Sequence, residues 1–305
     1  MSEDVELRRT QLATPASDPD FMESASRSDA DEVFLDLEDS VAPNAKVEAR
    51  EPLIEAVDEH DWSDKILSFR MNGIDTKWWY DDIIEVVGTV GEQIDDIIVP
   101  KVAGPSDIHT VENLLEQVEE NNGLEVGAIG LEPQIEDGDG IHNVYEIAHA
   151  SDRLSSIIFG PGDYSAAMGT PGLDIGQFPD YPGHYWHHAL SECNSAAKSA
   201  GLPCLDGPYA DIDDPEGFRT SAERANMIGC DGKWAIHPSQ IELGNEVFAP
   251  DPDVAERAER IVDAYAEAME EGKGAVSVDG QMVDEATNKM AQEIVAKARA
   301  AGILD

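Results

Sequence analysis

The chain has 305 residues, with 64 Asp plus Glu against 20 Lys plus Arg and a formal net charge of -44. Such a polyanion offers no basic footprint to phosphate oxygens, which excludes nucleic acid and an anionic membrane leaflet as partners. No apolar run approaches the roughly 18 residues of a membrane span, and the acidic start Met1-Ser2-Glu3-Asp4 is unlike a signal peptide, so a soluble, cytoplasmic protein is expected.

Apolar residues gather in short clusters such as Val33-Phe34-Leu35, Ile97-Ile98-Val99 and Ile157-Ile158-Phe159, which read as core strands. In chain order, strands are expected at 9–14, 32–37, 65–71, 95–101, 126–135, 154–160, 202–207 and 233–237. Helical patterns at 19–28, 44–59, 76–90, 106–121, 141–150, 184–200 and 215–228 fill the gaps between them. Eight strands with a helix in every gap predict an α/β fold of the (β/α)8 TIM-barrel type. The rival is an open α/β sheet, against which no G-x-G-x-x-G follows the first strand. Beyond His237 come a helix at 253–271, a glycine-containing extended piece at 272–282 and a last helix at 284–301. The expected organisation is a catalytic barrel over 1–249 and a C-terminal helical or lid segment over 250–305.

Barrel enzymes carry their chemistry at the C-terminal ends of the strands. That rule selects Asp36, Glu38 and Asp39 after the second strand, Arg70 and Asn72 after the third, and Lys101 after the fourth. It adds Glu136, Asp163, Asp206 and His237 after the fifth to eighth strands. Glu136 and Asp163 end neighbouring strands, where two carboxylates can hold a hard cation such as Mg²⁺; two solvated loop acids are the alternative. Arg70 stands inside an apolar run and suits either bidentate capture of a substrate carboxylate or an internal ion pair.

Weaker patterns are read structurally. Cys193, Cys204 and Cys230 form no C-x-x-C pair and read as buried thiols. The i, i+4 pair His184 and His188 lacks the Glu of H-E-x-x-H, which favours a packing or rim role. Asp137-Gly138-Asp139-Gly140 lacks the spacing of a calcium loop and reads as a turn.

On these residues the chain resembles the HpcH/HpaI aldolase and citrate lyase β-subunit family. The resemblance runs through Arg9 and Pro15, the stretch 33–41 with Lys46 and Arg50, Phe69-Arg70-Met71-Asn72-Gly73 and Pro100-Lys101-Val102. It continues in Gln134-Ile135-Glu136, Phe159-Gly160-Pro161-Gly162-Asp163, Trp234-Ala235-Ile236-His237-Pro238 and Gly280-Gln281-Met282-Val283-Asp284. The stretch 181–187 is closest to the L-malyl-CoA and β-methylmalyl-CoA lyase branch. The resemblance implies a lyase acting on a CoA thioester, with glyoxylate and acetyl-CoA or propionyl-CoA as products. It also implies Mg²⁺ or Mn²⁺ on Glu136 and Asp163, Arg70 on the glyoxylate carboxylate, and Asp284 as the acid/base at the acyl α-carbon. Asp284 equally suits the N-cap of the last helix. Ser24 stands where many relatives carry a lysine near the CoA phosphates, leaving Arg9 and Lys101 as the candidate cations for that contact. A homo-trimer or homo-hexamer is the implied assembly. Rival readings are a citramalyl-CoA lyase, a malyl-CoA thioesterase giving net malate synthesis, and a non-catalytic citrate lyase-like subunit.

The acids recur along the whole chain rather than in one tail. A surface of this kind fits molar salt, where the Debye length falls to about 3 Å and self-repulsion is screened. The sequence therefore reads as that of a salt-accumulating halophile. The unfolding midpoint is expected to rise steeply with KCl concentration; full stability in low salt contradicts the assignment.

Overall fold

In the computed structural model, which describes residues 5–170 and 185–304, the elements follow one another as strand and helix. The first half runs β1 (Thr10–Pro15), α1 (Pro19–Ser26), β2 (Glu32–Asp36), α2 (Arg50–Glu59), β3 (Ile66–Arg70), α3 (Trp79–Val90), β4 (Asp96–Val99) and α4 (Pro105–Asn122). The second half runs β5 (Gly130–Ile135), α5 (Gly138–Ile147), β6 (Ile157–Phe159), α6 (Pro161–Met168), α7 (His187–Ala200), β7 (Cys204–Asp206), α8 (Pro215–Ile228) and β8 (Gly232–Ala235). All eight strands pair in parallel, and β8 returns to β1 to close a (β/α)8 barrel.

The chain divides into two compact units: Arg8–Asn245, which holds the barrel, and the described residues of Met1–Leu7 with Glu246–Asp305. After α9 (Ile241–Phe248), the second unit contains α10 (Pro252–Glu270), a hairpin of β9 (Val276–Val278) and β10 (Gln281–Val283), and α11 (Glu285–Ala300). Its own core joins Ala258, Ile261 and Tyr265 of α10 to Val283, Ala291 and Val295. Among the described residues no helix is long and apolar enough to cross a membrane.

Aspartates start several helices because a carboxylate accepts from the free N–H groups of the first turn. Asp18 caps α1, Asp137 caps α5 through Gly140 N (2.7 Å), Asp214 caps α8 and Asp251 caps α10. Asp137 is thus a helix cap and not part of a calcium loop. The three cysteines are buried free thiols, as their spacing suggested. His184 and most of the 181–187 stretch lie outside the described residues.

Alternation along the strands sorts the barrel interior into layers. The central layer is apolar: Ala13, Phe34, Ile98, Ile158, Leu205 and Trp234 pack together. Below it, at the N-terminal ends of the strands, lies a polar floor. Arg8 donates to Glu32 (3.0 Å), Glu132 (2.6 Å) and Asp96 (2.8 Å). Gln11 links Glu32 to Glu132, while Ser68 bonds Glu32 and Ser156 bonds Glu132.

Three buried carboxylates around one guanidinium cannot all ionise cheaply. Burial first, then the Glu32 charge, pushes the Glu132 carboxyl well up, which favours its protonated form. Arg8→Met is expected to cost about 3–5 kcal/mol by stranding the carboxylates. Glu132→Gln replaces a protonated acid by an amide and is expected to be neutral or stabilising at pH 7. Urea titration of both variants checks the pair, and a strongly destabilised Glu132→Gln contradicts the proton assignment.

Candidate active site

Register builds the mouth of the barrel. Asp36 at the end of β2 lies directly opposite Arg70 at the end of β3. The guanidinium is clasped there: Nε donates to Asp36 Oδ1 (2.8 Å) and Nη2 to Asp36 Oδ2 (2.7 Å). Nη1, outside that clasp, lies 3.1 Å from Glu38 Oε2 and 3.9 Å from Asp39 Oδ2. The Glu38 contact is an ion pair without hydrogen-bond alignment, because Oε2 has no donor. The rings of Phe34 and Trp234, themselves 4.6 Å apart, lie against the guanidinium at 5.7 and 5.2 Å and pack together on one side of it. Burial works to raise Asp36, but the charge and hydrogen bonds of Arg70 overcome it and hold the carboxyl below its usual range.

Glu38 is buried and also accepts from the Lys101 ammonium. Burial nevertheless wins over both cations and raises its carboxyl. The loop that carries it is held by Lys46, whose ammonium donates to the carbonyls of Leu37 (2.9 Å) and Glu38 (2.6 Å). α2 itself begins only at Arg50, short of the 44–59 expected, with turns over the preceding residues.

Glu136 follows β5 and is 4% exposed, yet neither carboxylate oxygen has a hydrogen-bond donor. Burial first, and then the facing charge of Glu38, pushes its carboxyl well up. Gly160 makes room for it: a Cβ there would stand 2.7 Å from Glu136 Cγ. Asp163 follows in the first turn of α6, 3.6 Å from Lys101 Nζ. No helix is expected from Gly160-Pro161-Gly162, yet proline at the first helical position is preorganised for one.

Two cavities meet at this carboxylate pair. One, of about 590 Å³, opens over the barrel axis and is lined by Asp36, Asp39, Arg70, Glu136, Asp163 and Trp234 among others. The other, of about 470 Å³, is lined by Lys101, Asp75, Asp107 and Asp137 and shares Glu136 and Asp163. The buried Trp234, which lines the first cavity, has no acceptor at Nε1. Sequence reading missed the roles of Phe34, Trp234, Lys46 and Gly160, whose contacts with Arg70, the Glu38 loop and Glu136 arise only in the folded barrel.

The donor chemistry fits a hard divalent cation. Two carboxylates, one of them buried with both oxygens unmatched, form the protein half of a site whose other positions take water or substrate. Among the described residues no group of three or more His, Cys, Asp or Glu forms a full cage, which agrees with an open site.

Most of the strand-end candidates therefore converge, and one candidate cation, Arg9, is corrected. Arg9 precedes β1 and lies at the opposite, N-terminal end of the strands, bonded to Asp31 through Nε (2.8 Å) and Nη2 (2.6 Å); it is not a cation of the mouth. Lys101 is at the mouth, but Glu38 already holds its ammonium. Asp206 is likewise spent, on the buried Lys233 Nζ (2.5 Å), and the His237 ring accepts from Ser239 N and shares a hydrogen bond with its hydroxyl. Asp284 caps α11 by accepting from Thr287 N (2.9 Å) and Oγ1 (3.0 Å).

The fold and mouth define a barrel enzyme with a carboxylate pair suited to a divalent cation and a buried arginine in the same cavity. The chain belongs to the HpcH/HpaI aldolase/citrate lyase family, whose model matches residues 9–238. It is 41% identical to the L-malyl-CoA/beta-methylmalyl-CoA lyase of Rhodobacter capsulatus over 97% of this chain and 96% of that one. It is 34% identical to the malyl-CoA/beta-methylmalyl-CoA/citramalyl-CoA lyase of Chloroflexus aurantiacus, covering 86% and 79% of the two chains. CitE from Mycobacterium tuberculosis, solved with magnesium, acetoacetate and coenzyme A, superposes with a TM-score of 0.74 at 27% identity, covering 96% and 97%.

A carboxyl whose folded pKa is raised holds its proton more tightly in the fold, so stability falls as pH climbs above the ordinary value of 4.5. In metal-free buffer Glu136→Gln is expected to raise the melting temperature, with a gap near zero at pH 4 that widens toward neutral pH. A gap independent of pH contradicts the unmatched buried charge.

Proposed function

We propose that the protein is a Mg²⁺-dependent carbon–carbon lyase that cleaves, or in reverse forms, L-malyl-CoA and β-methylmalyl-CoA. The products are glyoxylate with acetyl-CoA or propionyl-CoA. The observation that carries the reading is the buried, donorless Glu136 beside Asp163, in a cavity shared with Arg70. The full-length likeness to lyases of these substrates supports the choice of substrate.

Cleavage removes the proton of the substrate hydroxyl as glyoxylate's carbonyl forms. The electron pair of the broken carbon–carbon bond passes into the thioester, and a proton returns to the α-carbon. Glu136 and Asp163 would hold Mg²⁺ or Mn²⁺, which when bound supplies Lewis-acid stabilisation of the negative oxygen. Arg70, fixed by Asp36 and backed by Phe34 and Trp234, lines the cavity and would offer Nη1, which now lies 3.1 Å from Glu38, to a substrate carboxylate. The aromatic walls keep water from that end of the cavity.

Asp284 is assigned the proton exchange at the α-carbon. The bonds from Thr287 hold its carboxyl below the usual range, so it is ionised at neutral pH, the state required to take a proton in the condensing direction. A homo-trimer or homo-hexamer acting in the cytoplasm on CoA thioesters completes the reading.

Glyoxylate trapped as its phenylhydrazone from malyl-CoA and β-methylmalyl-CoA, with Mg²⁺ and with EDTA, tests the proposal. Glu136→Gln is expected to lose the Mg²⁺ response. Asp284→Asn keeps an N-cap residue and is expected to fold normally with turnover down at least about 100-fold, the scale of a lost acid/base. Release of free malate in place of glyoxylate, or unimpaired turnover by Asp284→Asn, overturns the respective assignment.

A further inference from the structure

Lys101 follows β4 with φ +55°, a left-handed conformation that residues bearing a Cβ seldom adopt. Its ammonium joins two acids of the mouth, bonding Glu38 Oε1 and lying 3.6 Å from Asp163 Oδ2. The second oxygen of Glu38 faces Arg70 at 3.1 Å. Glu38 is thus restrained through both oxygens, although it is buried and exerts the strongest like-charge effect on Glu136. Lys101 thus ties Glu38 to the neighbourhood of Asp163, and as the side chains stand Glu38 does not complete a three-carboxylate metal group with Glu136 and Asp163 among the described residues.

We propose that Lys101 is a positioning residue that holds Glu38 off the divalent cation, leaving Glu136 and Asp163 as its only carboxylate ligands. A third carboxylate would bind the cation more tightly. It would also fill a coordination position that substrate oxygens need and neutralise charge that polarises them. The left-handed backbone at Lys101 keeps the ammonium on Glu38 from a strand end that also serves the second cavity. This inference rests on the metal-dependent lyase reading, but its main readout is cation affinity, which does not require turnover.

Calorimetric titration of the full-length protein with Mn²⁺ or Mg²⁺ is the test. Lys101→Met is expected to bind the cation about tenfold more tightly, as an added carboxylate ligand would. In the condensing direction its KM for glyoxylate is expected to rise by about the same factor as substrate loses a coordination position. Lys101→Arg, which keeps a cation for Glu38, is expected to stay within about twofold of the native protein on both measures. In a Glu38→Gln background the Lys101→Met gain is expected to shrink to about twofold or less, because no carboxylate is released. The same tenfold gain in that background would mean that Lys101 acts through its charge alone, and overturns the proposal. Glu38→Gln by itself bears on the same point if Lys101→Met fails to fold: unchanged affinity supports the proposal, and a tenfold loss makes Glu38 a native ligand and overturns it. Normal cation binding without any glyoxylate release would fail the lyase reading and leave the positioning result standing.

Discussion

The structure depends on pairing every cation that the barrel encloses. Six of the 20 Lys and Arg residues are buried: Arg8, Lys46, Arg50, Arg70, Arg153 and Lys233. Each meets a carboxylate or carbonyl at short range, as Arg50 does Asp82 (2.8 Å), Arg153 does Glu119 (2.5 Å) and Lys233 does Asp206 (2.5 Å). In a chain with 64 acids, anionic partners are never scarce and cations always are. A buried pair is weak evidence for net stability, but breaking one is costly, so these contacts fix geometry more than they add free energy. Arg8 fixes the floor of the barrel and Arg70 the mouth, with an apolar layer between them.

Much of this was legible in the chain. Apolar clusters alternating with helical periodicity located all eight strands, because parallel strands buried on both faces read as continuous apolar runs. Their lengths were less legible: 154–160 shrinks to Ile157–Phe159, the three-residue apolar run, while Leu154 keeps only an isolated bridge to Leu131. The strand-end rule found Asp36, Glu38, Arg70, Lys101, Glu136 and Asp163 because a barrel delivers the ends of its strands to one rim. It could not find what holds them. Glu32, Asp96 and Glu132 look like ordinary acids until register puts them around Arg8, and Arg9 passes for a useful cation until its place before the strand is recognised.

Arg70 shows why alternatives read from sequence need not exclude each other. Ion pair and ligand-binding group were set against one another, yet Asp36 occupies only Nε and Nη2. An arginine left free in a cavity would pay a large rotamer entropy on binding a carboxylate. Clasped by Asp36, paired with Glu38 through Nη1 and backed on one side by Phe34 and Trp234, it has lost that entropy already in folding.

The net charge of -44 gives the mouth its last constraint. CoA thioesters and glyoxylate are anions, and the global field repels them. Around the cavities the acids Asp36, Glu38, Asp39, Asp75, Asp107, Glu136, Asp137 and Asp163 outnumber the cations Arg70 and Lys101 eight to two. Raised carboxyls at Glu38 and Glu136 soften that excess without reversing it. Only an added cation shifts the balance, and it must do so where two carboxylates can hold it and a third is kept away. The anionic substrate therefore meets a favourable local field only with the divalent cation in place, which couples metal binding and substrate binding through charge alone, before any contact between them is counted.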